Sequence, residues 1–166
     1  MISKGKTTIT ILLLIIVGLY SNGCAVKPNP DNVPAIANTI KTSADFIASQ
    51  GLKFLHDRKP DQVAGAIDDL NSLVAVALLY SDDKVSVSDV VTTVTTALNR
   101  LNLRFDLVGG NDSALILATI GFLGNGASFW FTEGTLPQNF GIYLNSLALG
   151  IQDGIAWYKT TQGVTL

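Results

Sequence analysis

The sequence is poor in the residues that build most catalytic and metal sites: it has one cysteine and one histidine, and Glu133 is its only glutamate. With a single thiol and a single imidazole, the chain by itself lacks the ligand set of a zinc or haem site, and an intramolecular disulfide is excluded. It also contains no activated-serine elbow, no phosphate-binding glycine loop and no His-Glu-x-x-His motif. We therefore expect a protein that is not an enzyme and uses no cofactor.

Charge is also scarce. Only 14% of the 166 residues are charged, the formal net charge is −2, and the lysines and arginines form no cluster. Nucleic-acid binding needs a basic surface, so we expect no nucleic-acid partner. The 48% of hydrophobic residues excludes intrinsic disorder. A chain of this length buries enough surface to fold without a metal or a disulfide.

The first 24 residues differ from the rest of the chain. Lys4 and Lys6 precede the uncharged run Ile9–Tyr20, which has the length of the hydrophobic region of a signal peptide and is short for a membrane span. Small and polar residues follow this run, and then comes Cys24, the only cysteine. This order predicts an export signal.

The end of this leader resembles the lipobox of bacterial lipoproteins, in which signal peptidase II cleaves before a cysteine that receives a diacylglyceryl group. Gly23 matches the small residue before the cysteine, whereas Ser21 stands where leucine is usual and Asn22 is atypical. The resemblance implies cleavage between Gly23 and Cys24 and lipidation of Cys24. Two alternatives stay open: cleavage by the ordinary signal peptidase at Ser21-x-Gly23, and an uncleaved anchor over residues 7–26.

The resemblance covers only the leader, and it implies a location in the cell envelope. Ala25 follows the cysteine in place of the aspartate that commonly retains lipoproteins in the inner membrane. In a Gram-negative cell the expected place is therefore the outer membrane, facing the periplasm. The expected organisation is a signal peptide at 1–23, a lipidated cysteine and linker at 24–33, and a helical domain at 34–166, with the membrane as a partner through the N-terminal lipid.

Hydrophobic residues recur every three or four positions in three segments, at about 33–57, 61–80 and 87–104, which predicts helices. Ser86-Val87-Ser88-Asp89 has the pattern of a capping box at the start of the third segment. The run Val90–Thr96 is rich in β-branched residues, so a strand is the alternative there. The pattern and the cap favour a helix.

The C-terminal part is almost free of charge, in Ser113–Thr132 and again in Gly134–Gln152. Such segments are either central helices of a bundle, covered on all sides, or a hairpin that enters a bilayer. Gly150-x-x-x-Gly154 predicts a close helix–helix contact. The fold we expect is all-α, a compact bundle of four to five helices.

His56 and the aspartate pairs are the polar groupings that could form a site. His56 is predicted near a helix C-terminus, where a cationic residue is favourable, and it cannot face the adjacent Asp57 on a helix. The pairs Asp68-Asp69 and Asp82-Asp83 lack the alternating oxygen ligands and the glycine of a calcium loop, so we expect a solvated helix face and a turn, respectively. Neither grouping predicts catalysis or metal binding.

Two aromatic clusters are candidates for an apolar contact surface, because tryptophan and tyrosine favour half-hydrated positions. They are Phe129-Trp130-Phe131 and Trp157-Tyr158, both near predicted helix ends. Packing in the core or at a helix end is the alternative interpretation.

These features together favour a lipid-anchored, non-catalytic binding or assembly module that holds an unidentified protein partner at the membrane surface. A small carrier of lipid or another apolar ligand, with a cavity between glycine-rich helices, is one alternative. A membrane-inserting protein with a helical hairpin at 113–152 is the other.

Overall fold

The computed structural model describes residues 33–81, 85–108, 111–130 and 137–163, and within these ranges the chain is helical and contains no strand. The predicted all-α bundle is therefore confirmed. Its elements are α1 (Val33–Phe46), a π-helical segment (Ile47–Gly51), α2 (Leu52–Arg58), a 3₁₀ turn (Pro60–Gln62), α3 (Val63–Ser81), α4 (Val87–Asp106), α5 (Asn111–Trp130) and α6 (Pro137–Gln162).

The predicted boundaries agree with these elements except at the C-terminal helix. α1, the π-helical segment and α2 follow one another without a break and correspond to the predicted segment 33–57. The uncharged segment that predicted the last helix ends at Gln152, whereas α6 continues to Gln162. Asp153 does not end the helix because its side chain lies at the surface and pairs with Lys41.

The capping box at the start of α4 is confirmed. The Ser86 hydroxyl accepts a hydrogen bond from the Asp89 backbone N–H at 3.2 Å, and the Asp89 carboxylate accepts one from the Ser86 backbone N–H at 3.1 Å. The two backbone bonds satisfy N–H groups that a helix start leaves unpaired, and the β-branched run that follows is helical and not a strand. The Ser86 hydroxyl also donates to the Asp89 carboxylate at 2.7 Å, and this bond, together with the one from the Ser86 backbone N–H, lowers the pKa of the Asp89 carboxyl.

The helices surround one core in the order α1, α6, α3, α4 and α5, and α5 returns to contact α1 and the π-helical segment. α6 packs mainly on α1 and α3, whereas α5 packs mainly on α4. Within the described residues, α5 and α6 are therefore neighbours in sequence that pack mainly on different helices. The core is aliphatic with a few aromatic rings, and its largest fully buried side chains are Tyr143, Tyr158, Phe105, Ile40, Ile47, Leu52, Leu55, Leu70, Leu73, Leu101, Leu144 and Ile151.

The bundle has two distinct ends. α1 and α6 run in the same direction, because Lys41 lies beside Gly150 and Ala48 lies beside Gly154. α3 runs the opposite way, since the Tyr80 and Phe140 rings meet at 4.5 Å between their centroids. The starts of α1, α4 and α6 and the end of α3 therefore share one end, here called the proximal end. The opposite end, with α2, the start of α3 and the end of α4, is called the distal end.

Candidate functional site

Part of the predicted site lies outside the residues that the structure describes. Gly23, Cys24 and Phe131 lie outside the described residues, and so do the side chains of Phe129 and Trp130. Cleavage and lipidation at Cys24 therefore stay predictions.

The C-terminal aromatic pair is divided between surface and core. The Trp157 side chain is 41% exposed, whereas Tyr158 is only 1% exposed. Adjacent helical residues point in directions about 100° apart, so one faces outward and the other faces the core. Including Tyr158 in an apolar contact surface was therefore wrong, and of this pair only Trp157 remains a candidate.

Tyr158 and the only histidine form a hydrogen bond across the distal end. The Tyr158 hydroxyl lies 2.9 Å from His56 Nδ1, and the two rings meet edge to face with centroids 6.0 Å apart. Burial, assisted by the negative charge of Asp57, raises the pKa of the Tyr158 hydroxyl. The hydroxyl thus stays protonated at neutral pH; it donates to Nδ1 of His56 when that nitrogen carries no hydrogen and accepts from it when it does. The pair links α2 to α6.

The carboxylate next to His56 has a different partner. Asp57 accepts a hydrogen bond from Lys53 at 2.6 Å, one helical turn earlier, and this bond lowers the pKa of the Asp57 carboxyl. The prediction that His56 and Asp57 do not pair with each other is consistent with this geometry. The partner that His56 does have lies 102 residues away in sequence, beyond the reach of any local pattern.

A second polar cluster joins α3 to α4. Asp69 is only 4% exposed, and its carboxylate accepts a hydrogen bond from Arg104 Nε at 2.9 Å. Arg104 Nη1 donates to Gln62 Oε1 at 2.9 Å, and Arg100 lies 3.7 Å from the other Asp69 oxygen. The expectation of a solvated face for Asp68-Asp69 was therefore wrong for Asp69. Its carboxylate is buried because Arg104 compensates the charge, a role in structure rather than in metal binding.

The Gly-x-x-x-Gly motif forms the contact between α1 and α6, here called the glycine seam. A methyl group at Gly150 would overlap the Lys41 carbonyl oxygen, and one at Gly154 would lie 2.6 Å from both the Asp45 carbonyl oxygen and the Ala48 Cβ. The prediction of close internal packing is confirmed. Because the α1 backbone occupies the space beside both glycines, the seam holds no room for an apolar ligand.

The edge of the glycine seam carries three charges. Lys41 Nζ lies 2.9 Å from the Asp153 carboxylate across the seam, with both side chains partly exposed. Burial of Asp45, together with the nearby negative charge of Asp153, raises the pKa of the Asp45 carboxyl. The exposed pair Lys41–Asp153 adds only a small amount of stability. The ionised Asp45 carboxylate slightly lowers the stability of the fold at neutral pH.

The π-helical segment has an evident packing role. It begins two residues after Asp45, and a methyl group on its Gly51 would lie 2.8 Å from Cζ of Phe105. The buried Phe105 ring of α4 therefore lies directly over a glycine of this segment. π-helical turns are frequent at functional sites, but here the contact with the ring and with α6 gives the segment a structural role.

Exposed apolar side chains gather at two places. Leu78, Leu79, Val87 and Ile142 are exposed near the proximal end, on α3, α4 and α6. On the distal half of the bundle the exposed members are Leu103, Leu107 and Trp157, and Leu149 is exposed near the middle of α6. An exposed leucine alone needs no explanation, whereas a group on three helices at one end of a bundle is a candidate interaction surface.

In the described ranges, no group of three His, Cys, Asp or Glu side chains is placed to hold a metal ion. One helical stretch, Pro60–Ser81, is long and apolar enough to cross a membrane, and half of it is buried in the bundle. A core helix meets the same criterion, and the Asp69–Arg104 pair lies on this stretch.

The similarity comparisons identify no family: no protein-family model matches the chain, and neither does any curated protein or solved structure. What supports a function is therefore the chain's own residues.

Proposed function

We propose that the chain is a lipid-anchored protein of the bacterial cell envelope whose helical bundle acts as a non-catalytic binding or assembly module. The observation that carries the proposal is the order of the N-terminal features. A basic start and the apolar run Ile9–Tyr20 lead to Gly23-Cys24, and the linker 25–32 then joins this cysteine to the first helix at Val33. Such an order fits an exported domain held close to a membrane by acyl chains, which anchor stably when two or more are attached.

The polar clusters of the bundle support a non-catalytic role. His56 is held by Tyr158, and Asp69 is held by Arg104. Each of these contacts joins two helices, so each group has a structural use. The contact between two helices accounts for the position of each side chain, so neither group requires a catalytic role to explain it.

The outer face of α6 supports a protein-binding role. Leu149, Ala156 and Trp157 are all exposed on it, and at 100° per residue they lie within about 100° of arc. Tryptophan is the residue most enriched among the energetic centres of protein interfaces. Trp157 is therefore the residue that we assign to contact with a partner protein.

The anchor is tested by the intact mass of the protein purified from the membrane fraction of an expressing bacterium. The expected species is residues 24–166 carrying a diacylglyceryl group, with or without a third acyl chain. The variant Cys24→Ala has no acceptor thiol and is expected to stay unmodified. An unmodified full-length mass for the unsubstituted protein would contradict the lipid anchor and favour an N-terminal anchoring helix.

The binding face is tested by photo-crosslinking in intact cells. A photoreactive residue in place of Trp157 is expected to give a discrete adduct with another protein. The same residue in place of Thr92, exposed on α4, is the matched control and is expected to give none. Equal labelling at the two positions would contradict a specific contact at Trp157.

A further inference from the structure

The proximal end of the bundle carries four exposed aliphatic side chains. Leu78 is 60% exposed, and Leu79, Val87 and Ile142 are each exposed by more than two fifths. Leu78 and Leu79 lie in the last turn of α3, Val87 begins α4, and Ile142 lies near the start of α6. We call these four residues the proximal rim.

The polypeptide enters the bundle at this same end. Lys41 lies beside Gly150, and the two helices are parallel. Val33, where α1 begins, lies eight residues before Lys41, and Ile142 of the proximal rim lies eight residues before Gly150. With the same rise per residue on both helices, Val33 and Ile142 lie at about the same height along the bundle.

The linker between Cys24 and Val33 is short, and its length limits the distance between the bundle and a lipid on Cys24. Residues 25–32, Ala-Val-Lys-Pro-Asn-Pro-Asp-Asn, separate Cys24 from Val33. Fully extended, this stretch spans at most about 30 Å. A lipid on Cys24 thus keeps the proximal end close to the bilayer, while the distal end lies about 30 Å further away, the length of the 20-residue helix α4.

Charge indicates what kind of contact the rim makes. The charged residues nearest in sequence to Leu78, Leu79 and Val87 are Asp82, Asp83, Lys84 and Asp89, which sum to −2. Asp89 is occupied in the capping box of α4. An acidic neighbourhood does not attract anionic headgroups, so an attraction to the membrane here must come from aliphatic burial.

We propose that the proximal rim rests in the interfacial region of the lipid bilayer to which Cys24 anchors the chain. This inference rests on the proposed lipid anchor and adds an orientation to it. Leu78, Leu79, Val87 and Ile142 face the membrane, and the outer face of α6 around Trp157 points away from it toward a partner. The tether supplies a high local concentration, so a small apolar contact is enough to keep the bundle in this orientation.

The test places a fluorophore at single positions of the full-length, membrane-purified protein. Leu78→Cys and Ile142→Cys introduce a thiol on the rim, and Leu107→Cys is the matched control, because Leu107 is 68% exposed at the distal end. A lipidated Cys24 is a thioether and takes no label, so the fluorophore reports one site. Each labelled protein is reconstituted into phosphatidylcholine–phosphatidylethanolamine vesicles that contain a doxyl-labelled quencher lipid.

We expect quenching at both rim positions to be at least about threefold stronger than at Leu107→Cys, because interfacial contacts lie about 5–10 Å into the headgroup region. Replacing part of the lipid with anionic phosphatidylglycerol is expected to leave the quenching at the rim unchanged. Equal quenching at the two ends, or none at the rim, would overturn the proposed orientation. Quenching that rises with phosphatidylglycerol would overturn the apolar nature of the contact.

The intact mass of the same samples separates this inference from the proposed function. A lipidated protein without quenching at the rim contradicts the orientation alone and leaves the anchor in place. A protein without lipid contradicts the anchor, and the orientation falls with it. Circular dichroism of Leu78→Cys and Ile142→Cys that matches the unsubstituted protein shows that the substitutions, both at exposed positions, leave the helices intact.

Discussion

The glycine seam and the α3–α4 contact both depend on glycine, but the atoms that approach the glycine differ. At the seam, Gly150 lies against the Lys41 backbone carbonyl. In the other contact, Gly65 of α3 lies beneath the guanidinium of Arg104, whose nearest atoms would be 2.5 Å from an added methyl group. Backbone in a packed helix has no room to move, whereas the tip of an arginine has several rotatable bonds.

The difference shows that the sequence motif alone does not give the cost of a substitution. Gly150 and Gly154 exclude side chains so that two helices meet backbone to backbone, and aliphatic burial stabilises the contact. Gly65 instead makes space for a charged group that a buried carboxylate requires. The first contact is sensitive to volume, and the second is sensitive to the pairing of charges.

The largest effect is expected at the glycine seam. Gly150→Ala places a methyl group on the Lys41 carbonyl, and we expect it to lower the free energy of unfolding by about 3 kcal/mol or more, as overpacking against a rigid neighbour does. Gly141→Ala in the same helix is the control, because nothing lies within 4 Å of its added methyl group. It is expected to raise stability by about 0.5–1 kcal/mol through helix propensity. Urea unfolding measures both, and equal effects would contradict the close seam.

The charge-dependent contact is tested by Arg104→Met. This change leaves the Asp69 carboxylate buried without its nearest cation. We expect a loss of about 2–3 kcal/mol, less than for a fully buried pair because the arginine is partly exposed. Arg100→Met, which removes a more exposed arginine 3.7 Å from Asp69, is expected to cost less than about 0.5 kcal/mol. Equal losses in urea unfolding would show that Arg104 is not the principal partner.

Gly65→Ala makes the comparison sharper, because the sign of its effect on stability is expected to depend on whether Arg104 is present. In the unsubstituted protein the methyl group displaces the guanidinium from Asp69, and we expect a loss of about 1 kcal/mol. In the Arg104→Met background the guanidinium is absent, and the alanine is expected to be neutral or to stabilise by up to about 1 kcal/mol. A double-mutant cycle measures the coupling, and purely additive effects would contradict the contact.

Tyr158→Phe removes the hydroxyl that binds His56, and we expect it to lower stability by about 1 kcal/mol at neutral pH. The raised pKa of Tyr158 means that the folded state holds this proton more firmly than the unfolded state does. Its contribution is thus present below about pH 10 and lost as the pH rises above that value. Unfolding from pH 7 to pH 11 should show a smaller alkaline loss for the variant than for the unsubstituted protein. An identical loss would contradict the assignment.

The smallest effect is expected for Asp45→Asn. Burial and Asp153 raise the pKa of Asp45 above its ordinary value of 3.8, so the ionised carboxylate costs stability above the raised pKa, and this cost disappears as the pH falls to about 3.8. The variant is therefore expected to be a few tenths of a kcal/mol more stable at pH 7 and to lose that advantage in acid. Asp68→Asn, at an exposed position of α3, is the control and is expected to show no such change. A pH-independent difference would contradict this origin.

Features formed by residues that are close in sequence were predictable, whereas features formed by residues far apart in sequence were not. The start of α4 was predictable because Ser86 and Asp89, three residues apart, complete the cap without help from the rest of the chain. The uncharged segment that ends at Gln152 did not mark the end of α6, because Asp153 lies at the surface of the helix and pairs with Lys41 of another helix. The burial of Asp69 was missed because its partner is 35 residues away.

In the candidate site, too, the local features were predictable from the sequence and the features that depend on packing were not. Cys24 and its leader are a local pattern, and the prediction made from them needs no fold. Trp157 and Tyr158 are adjacent in sequence and alike in chemistry, so composition treats them as one cluster. Only the rotation of α6 against α1 and α3 turns one of them outward and the other into the core.

The sequence by itself determined the helices, the capping box and the tight packing of Gly150 and Gly154, because periodicity, caps and the absence of a side chain act over a few residues. Tertiary structure alone decided which helix lies against those glycines, which cation compensates Asp69 and which residue holds His56. It also placed Val33 at the same end of the bundle as Leu78 and Ile142. These relations join residues from 35 to more than 100 positions apart, and a chain brings such residues together only when its apolar faces are buried in one core.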